Sequence, residues 1–129
     1  MMRLPLLITG VGLSAGLVLT AIPAYGAARP NAVVLTVTAY GNSSLKMVTL
    51  QCPGLTRGHP YGEVVCVVID AVDGNLDRLP GDPGRRCSEK RDPVTATMYG
   101  LWRNRTVGWQ KTFPNACALA AKTGPVFRF

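Results

Sequence analysis

Four cysteines, Cys52, Cys66, Cys87 and Cys117, all stand downstream of an uncharged apolar run, and this arrangement constrains the fold more than any other feature. The run occupies residues 4–22 and follows one basic residue, Arg3. Pro23 ends it, and small residues follow at Ala24, Gly26, Ala27 and Ala28. A basic start, an apolar middle and a small-residue exit mark a secretory signal, with cleavage after Gly26 or Ala28. At roughly 20 residues the run also has the length of a membrane span. Its glycines, Gly10, Gly12 and Gly16, and the small-residue exit favour cleavage instead. The expected organisation is a signal peptide over residues 1–28 and one secreted domain over residues 29–129, free of the membrane once cut. A domain of that size buries a limited core and often needs staples. An even cysteine count in an exported chain reads as two disulfides, and four cysteines allow three pairings.

Metal and catalytic chemistry find little support. No two cysteines have C-x-x-C spacing and His59 is the only histidine, so neither a metal nor a cofactor is expected. There is no G-x-S-x-G, H-E-x-x-H, P-loop or G-x-G-x-x-G, so the chain does not read as an enzyme. His59 sits in Gly58-His59-Pro60 with no companion nucleophile. Asp70, Asp73 and Asp77 fall at i, i+3 and i+7 and read as the solvated face of a helix.

The formal net charge is +7, and loss of residues 1–28 removes only Arg3, leaving +6. All seven acidic residues lie between Glu63 and Asp92. One functional reading is therefore a cationic secreted protein that binds envelope or nucleic-acid polyanions, with Arg103 and Arg105 as contacts. No RNP-like aromatic pattern and no helix-turn-helix accompanies the charge, so no nucleic-acid partner is expected.

Periodicity divides the mature chain. Residues 33–38 are rich in β-branched side chains and residues 45–51 alternate, with Gly41-Asn42-Ser43-Ser44 as the turn between them. Ile69, Val72, Leu76 and Leu79 recur at helical spacing within residues 65–79, where Gly74 weakens, divides or ends the helix. Residues 80–93 contain no apolar side chain other than proline and Cys87. So long a turn-rich stretch in a small domain is functional or disordered, and its cysteine argues for order. Residues 94–102 and 105–113 alternate across Arg103-Asn104 and read as a hairpin. Residues 115–122 suggest a short helix, with Asn115 as a candidate cap and Gly124 beyond its end. Residues 126–129 suggest a last strand. Strands dominate and helices cover one face, so the expected class is α+β with an antiparallel sheet.

Several of these residues together resemble the Streptomyces subtilisin inhibitor family, over residues 30–129. The resemblance rests on Val33-Val34-Leu35-Thr36-Val37, and on Cys52-Pro53 with Gly58-His59-Pro60 and Cys66. It extends through Cys87-Ser88-Glu89-Lys90-Arg91-Asp92-Pro93-Val94 and Gly100-Leu101-Trp102 to Phe113-Pro114-Asn115-Ala116-Cys117 and Val126-Phe127-Arg128-Phe129. It implies disulfides Cys52–Cys66 and Cys87–Cys117. The closed loops of about 15 and about 31 residues would then each contribute roughly 3 to 4 kcal/mol. It implies a five-stranded antiparallel sheet covered by two helices. It also implies a homodimer through the sheet face, with Val34 and Trp102 at the contact, plain core packing being the alternative for Trp102.

The function implied is standard-mechanism inhibition of secreted serine proteases of subtilisin type. A loop is offered as a substrate, and the complex releases it slowly. Carried over by position, the reactive bond is Glu89–Lys90 and the loop comprises Cys87, Ser88, Arg91, Asp92 and Pro93. Cys87 would anchor the loop, Pro93 would stiffen its far side, and Asn115 would hold loop carbonyls or cap a helix. One departure matters. The residue two beyond this cysteine is commonly Lys, Arg or Met in the family, and here it is Glu89. An unpartnered carboxylate is costly in an apolar pocket. Trypsin should be a poor target and subtilisin a weaker one than with Met, whereas a glutamyl-specific protease would suit the loop. A shift of one position would make Lys90 the specificity residue, although Cys87 opposes it.

Overall fold

A computed structural model describes residues 10–13, 16–21, 31–40, 44–53 and 58–129. The expected signal, residues 1–28, lies mostly outside the described residues. No helix among the described residues is long and apolar enough to cross a membrane. The elements run β1 (Asn31–Ala39), β2 (Ser44–Cys52), α1 (Gly62–Ala71), a 3-10 turn (Leu76–Arg78), β3 (Val94–Trp102), β4 (Arg105–Phe113) and α2 (Ala116–Thr123). The strands form one antiparallel sheet in the order β2-β1-β3-β4.

Alternation along the strands gives the sheet two unlike faces. Val33, Leu35, Leu50, Ala96, Met98, Trp109 and Phe113 point inward and are buried. Val34, Thr36, Thr38, Thr97 and Thr112 lie on the other face, where Thr36 bonds Thr97 and Thr95 bonds Thr112 across the ladder. Helices α1 and α2 cover the inner face through Val65, Ile69 and Leu119. The β3–β4 connection is Arg103-Asn104, both at positive φ of 49° and 62°, as a two-residue hairpin turn matched to strand twist requires.

The helix expected over residues 65–79 begins earlier and stops sooner. Asp73 and Gly74 take φ of 54° and 77°, which no α-helix continues. The Gly74 amide closes the helix end on the Ile69 carbonyl at 3.0 Å. A Cβ at Gly74 would lie 3.1 Å from Trp102 Cβ, so glycine lets this corner approach the sheet. The chain then re-forms a short turn, with the Asn75 side chain accepting from the Asp77 amide and Leu76 fully buried.

The sheet has four strands, not five. The strand expected over residues 126–129 is a turn segment packed beneath the sheet. Pro125 has no amide to give a ladder. The Val126 and Arg128 amides bond back to Thr123 and Pro125 at 3.3 and 3.1 Å. Phe127 stacks on Trp109 with ring centroids 5.7 Å apart. Buried His59 fastens this segment: its Nε2–H donates to the Val126 carbonyl at 2.8 Å while Nδ1 accepts from the Tyr61 amide at 3.0 Å. With both nitrogens engaged, His59 is a strut between chain segments.

Trp102 also departs from expectation. Its side chain is 0% exposed, and its Nε1–H donates to Asp70 Oδ1 at 3.2 Å. It belongs to the protomer's own core and has no surface left for a dimer contact. Val34 lies on the outer face and is half-buried.

Candidate functional site

The polar stretch of residues 80–93 leaves the 3-10 turn and enters β3, so both its ends are tied to regular structure. Its first part is held by the C-terminal end of α2. Lys122 Nζ donates to the Leu79 carbonyl at 2.8 Å, and the Asp82 amide donates to the Ala121 carbonyl. Gly81 has φ of 69° and approaches α2 so closely that a Cβ would meet the Ala121 carbonyl oxygen at 3.0 Å. Asp82 then organises a tight turn, accepting from the Gly84 amide through Oδ1 and from the Arg85 amide through its carbonyl, both at 3.1 Å.

The second part is held by the N-terminal end of α2. Cys87 is bonded to Cys117, with Cα atoms 5.7 Å apart. The other bridge, Cys52–Cys66, ties β2 to α1. Both are the pairings the resemblance implies. Asn115 precedes α2 and uses both ends of its amide. Oδ1 accepts from the Ala118 amide at 2.8 Å, capping the helix. Nδ2 donates to the carbonyls of Ser88 and Lys90, each at 3.0 Å. The two roles considered for Asn115 therefore coexist in one side chain. Beyond it, the Asp92 amide donates to the Pro114 carbonyl at 2.9 Å and the Tyr40 amide to the Pro93 carbonyl at 3.4 Å.

Between these anchors, Ser88, Glu89, Lys90 and Arg91 are exposed. The carbonyls on either side of Glu89 are tethered, whereas its own carbonyl accepts no hydrogen bond among the described residues. Such a segment has a tethered backbone, a bare Glu89 carbonyl between its two tethers and exposed side chains. It suits presentation to a partner better than chemistry of its own. No group of three or more metal-ligating side chains gathers among the described residues.

Charge is handled differently at the opposite end of the β3–β4 hairpin. Arg103 bridges Asp70 at 2.9 Å and Asp73 at 3.1 Å, and Arg105 also bonds Asp73. The Arg105 hydrogen bond, helped by the nearby guanidinium charges, holds the Asp73 carboxyl below its usual value against the opposing effect of desolvation. The hydrogen bond and charge of Asp70 raise the Arg103 value. Asp77 accepts from Trp109 Nε1 at 2.9 Å. The three aspartates are thus not an idle solvated face: they dock the helix region onto the hairpin. The arginines on which the polyanion reading depended are spent on them. Sequence reasoning also missed Lys122 and Pro114 as loop anchors, since neither carries a local signal for a contact with residues so far along the chain.

The chain also matches known proteins. The family model described as subtilisin inhibitor-like matches residues 29–115. The chain is similar to subtilisin inhibitor-like protein 5 of Streptomyces fradiae, 43% identical over 105 residues, spanning 78% of this chain and 98% of that one. A subtilase-type protease inhibitor of the same species is 36% identical, over 78% of this chain and 75% of the relative. Among solved structures, Streptomyces caespitosus sermetstatin in complex with Bacillus licheniformis subtilisin matches with a TM-score of 0.65 and 34% identity. That match covers 78% of this chain and 99% of the other.

Proposed function

This chain belongs to the subtilisin inhibitor-like family, and from that premise we propose that it inhibits subtilisin-type serine endopeptidases by offering Glu89–Lys90 as a substrate-like bond. It is an inhibitor, not an enzyme. The observation that carries the reading is the pair of hydrogen bonds from Asn115 Nδ2 to the Ser88 and Lys90 carbonyls. They bracket the bond and leave the Glu89 carbonyl free for a protease's oxyanion-stabilising donors.

The energetics follow from order. Fixing one residue's backbone costs about 1–2 kcal/mol. A loop already fixed by Cys87, Asn115 and Asp92 spares most of that on binding. If the protease cuts the bond, Ser88 and Lys90 remain on one amide, and Cys87 keeps the new C-terminal end on α2. The ends stay close, so religation competes with release.

Two further features complete the proposal. Residues 1–28 act as an export signal, which places the inhibitor outside the cell. The outer sheet face forms a homodimer around Val34; Leu45 and Met47 there are 59% and 58% exposed, and Tyr40 and Tyr99 flank them. Sedimentation of residues 29–129 as a monomer at micromolar concentration would remove the dimer. The central test is incubation of the mature protein with subtilisin at mildly acidic pH, followed by mass spectrometry. Slow, tight inhibition is expected, with a single cut at Glu89–Lys90 and fragments joined by Cys87–Cys117. A cut elsewhere in the loop would move the reactive bond and refute this assignment.

A further inference from the structure

The side chains of the exposed loop do not match the apolar or basic choices that a broad subtilisin-type or trypsin-type pocket accepts. Glu89 is exposed and makes no ion pair among the described residues, although Arg85, Arg86, Lys90 and Arg91 all lie within four positions of it. Asn115 holds the carbonyls on both sides of Glu89, and the Glu89 side chain between them is left exposed to solvent. No apolar side chain stands anywhere in the loop to fill an apolar pocket in its place, apart from prolines and the disulfide-bonded Cys87.

We propose that the loop is tuned to a serine endopeptidase that cleaves after glutamate, one with a cationic primary pocket and carboxylates on the rim that receives Lys90 and Arg91. The inference rests on Glu89–Lys90 being the reactive bond, and names the partner class for it. In such a pocket the Glu89 carboxylate exchanges water for a fixed positive charge, whereas an apolar pocket strips its water and returns nothing. Lys90 and Arg91, just past the bond, carry no partner of their own among the described residues, so an acidic rim meets them without first breaking an ion pair. Their attraction acts over about 10 Å at 0.1 M salt and raises the rate of encounter.

The experiment compares the mature wild type with Glu89→Gln and Glu89→Met, each titrated against a glutamyl endopeptidase and against subtilisin. Both substitutions fall on an exposed side chain, so the fold is not at stake. Wild type is expected to inhibit the glutamyl enzyme ~100-fold or more tighter than Glu89→Gln does, the scale of one buried charge pair. Glu89→Met is expected to reverse the preference. Lys90→Ser with Arg91→Ser should slow association with the glutamyl enzyme and weaken its dependence on salt. If wild type inhibits subtilisin and ignores the glutamyl enzyme, the inference is overturned and the proposed function stands. Equal inhibition of the glutamyl enzyme by wild type and Glu89→Gln also overturns it, because the charge is then not read. If Glu89→Met fails against both enzymes, the reactive bond itself is misassigned and both readings fall.

Discussion

The two ends of the β3–β4 hairpin carry comparable charge and treat it oppositely. At the turn end, side chains hold side chains: Arg103 and Arg105 meet Asp70 and Asp73, and the two tryptophan N–H groups meet Asp70 and Asp77. At the other end, the protein holds the loop by its backbone. Asn115, Lys122 and the Asp82 and Asp92 amides all engage main-chain groups, and the charged side chains between them stay unpaired among the described residues. The same residue types therefore build structure at one end and stay exposed and unpaired, among the described residues, at the other. Net charge alone does not distinguish the two, because the difference lies in which atoms are held.

Three perturbations sharpen that contrast. The largest effect is expected from Cys87→Ser with Cys117→Ser. That bridge spans a sequence separation of 30, and opening it should cost about 4 kcal/mol in the chain-entropy picture. Denaturant melts should show the loss, and subtilisin should digest the loop as an ordinary substrate; an undiminished inhibitor would mean the bridge does not set loop order. Next comes Asn115→Asp. Aspartate keeps an oxygen for the Ala118 amide and caps as well as asparagine, but it cannot donate to Ser88 and Lys90. Two lost tethers at about 1 kcal/mol each predict inhibition weaker by roughly 30-fold, with little change in melting temperature. Parallel loss of both properties would show that the tethers matter only through the fold.

The smallest effect belongs to the turn end. The Asp73 carboxyl is held low in the folded state, so its contribution to stability is present above its unfolded value, near 3.8, and fades as pH falls through the lowered folded value. Arg105→Gln should flatten that acid limb and leave inhibition unchanged. Thermal melts between pH 2 and pH 6, each read against inhibition at neutral pH, check both halves. The pair is exposed to solvent, so the change at neutral pH should be slight.

Much of the fold was legible because it is local. β3 and β4 keep the bounds that alternation suggests, and Asn115 and Gly124 bracket α2 as cap and exit. The limits of the loop followed from the absence of apolar side chains between Leu79 and Val94. What was not legible depends on distant partners. Residues 126–129 have the composition of a strand, but Trp109 and His59 offer packing and a hydrogen bond that a sheet edge does not. Leu76 and Leu79 share a helical spacing with Ile69, yet Asp73 and Gly74 reach the left-handed region because Trp102 needs the space. Trp102 looked like a surface residue by resemblance and is core because Asp70 satisfies its N–H. In the loop, the position of Cys87 was readable, whereas the joint use of Asn115 by helix and loop required the geometry.

That shared amide makes the first turn of α2 and the presenting segment a single cooperative unit. Whatever frays the helix start releases the loop at the same moment, well short of global unfolding. The Ala118 amide, which bonds to Asn115 Oδ1, is then a native gauge of readiness. Its hydrogen–deuterium exchange rate should rise with temperature in step with the loop's susceptibility to cleavage, while amides in the central strands β1 and β3 are still protected.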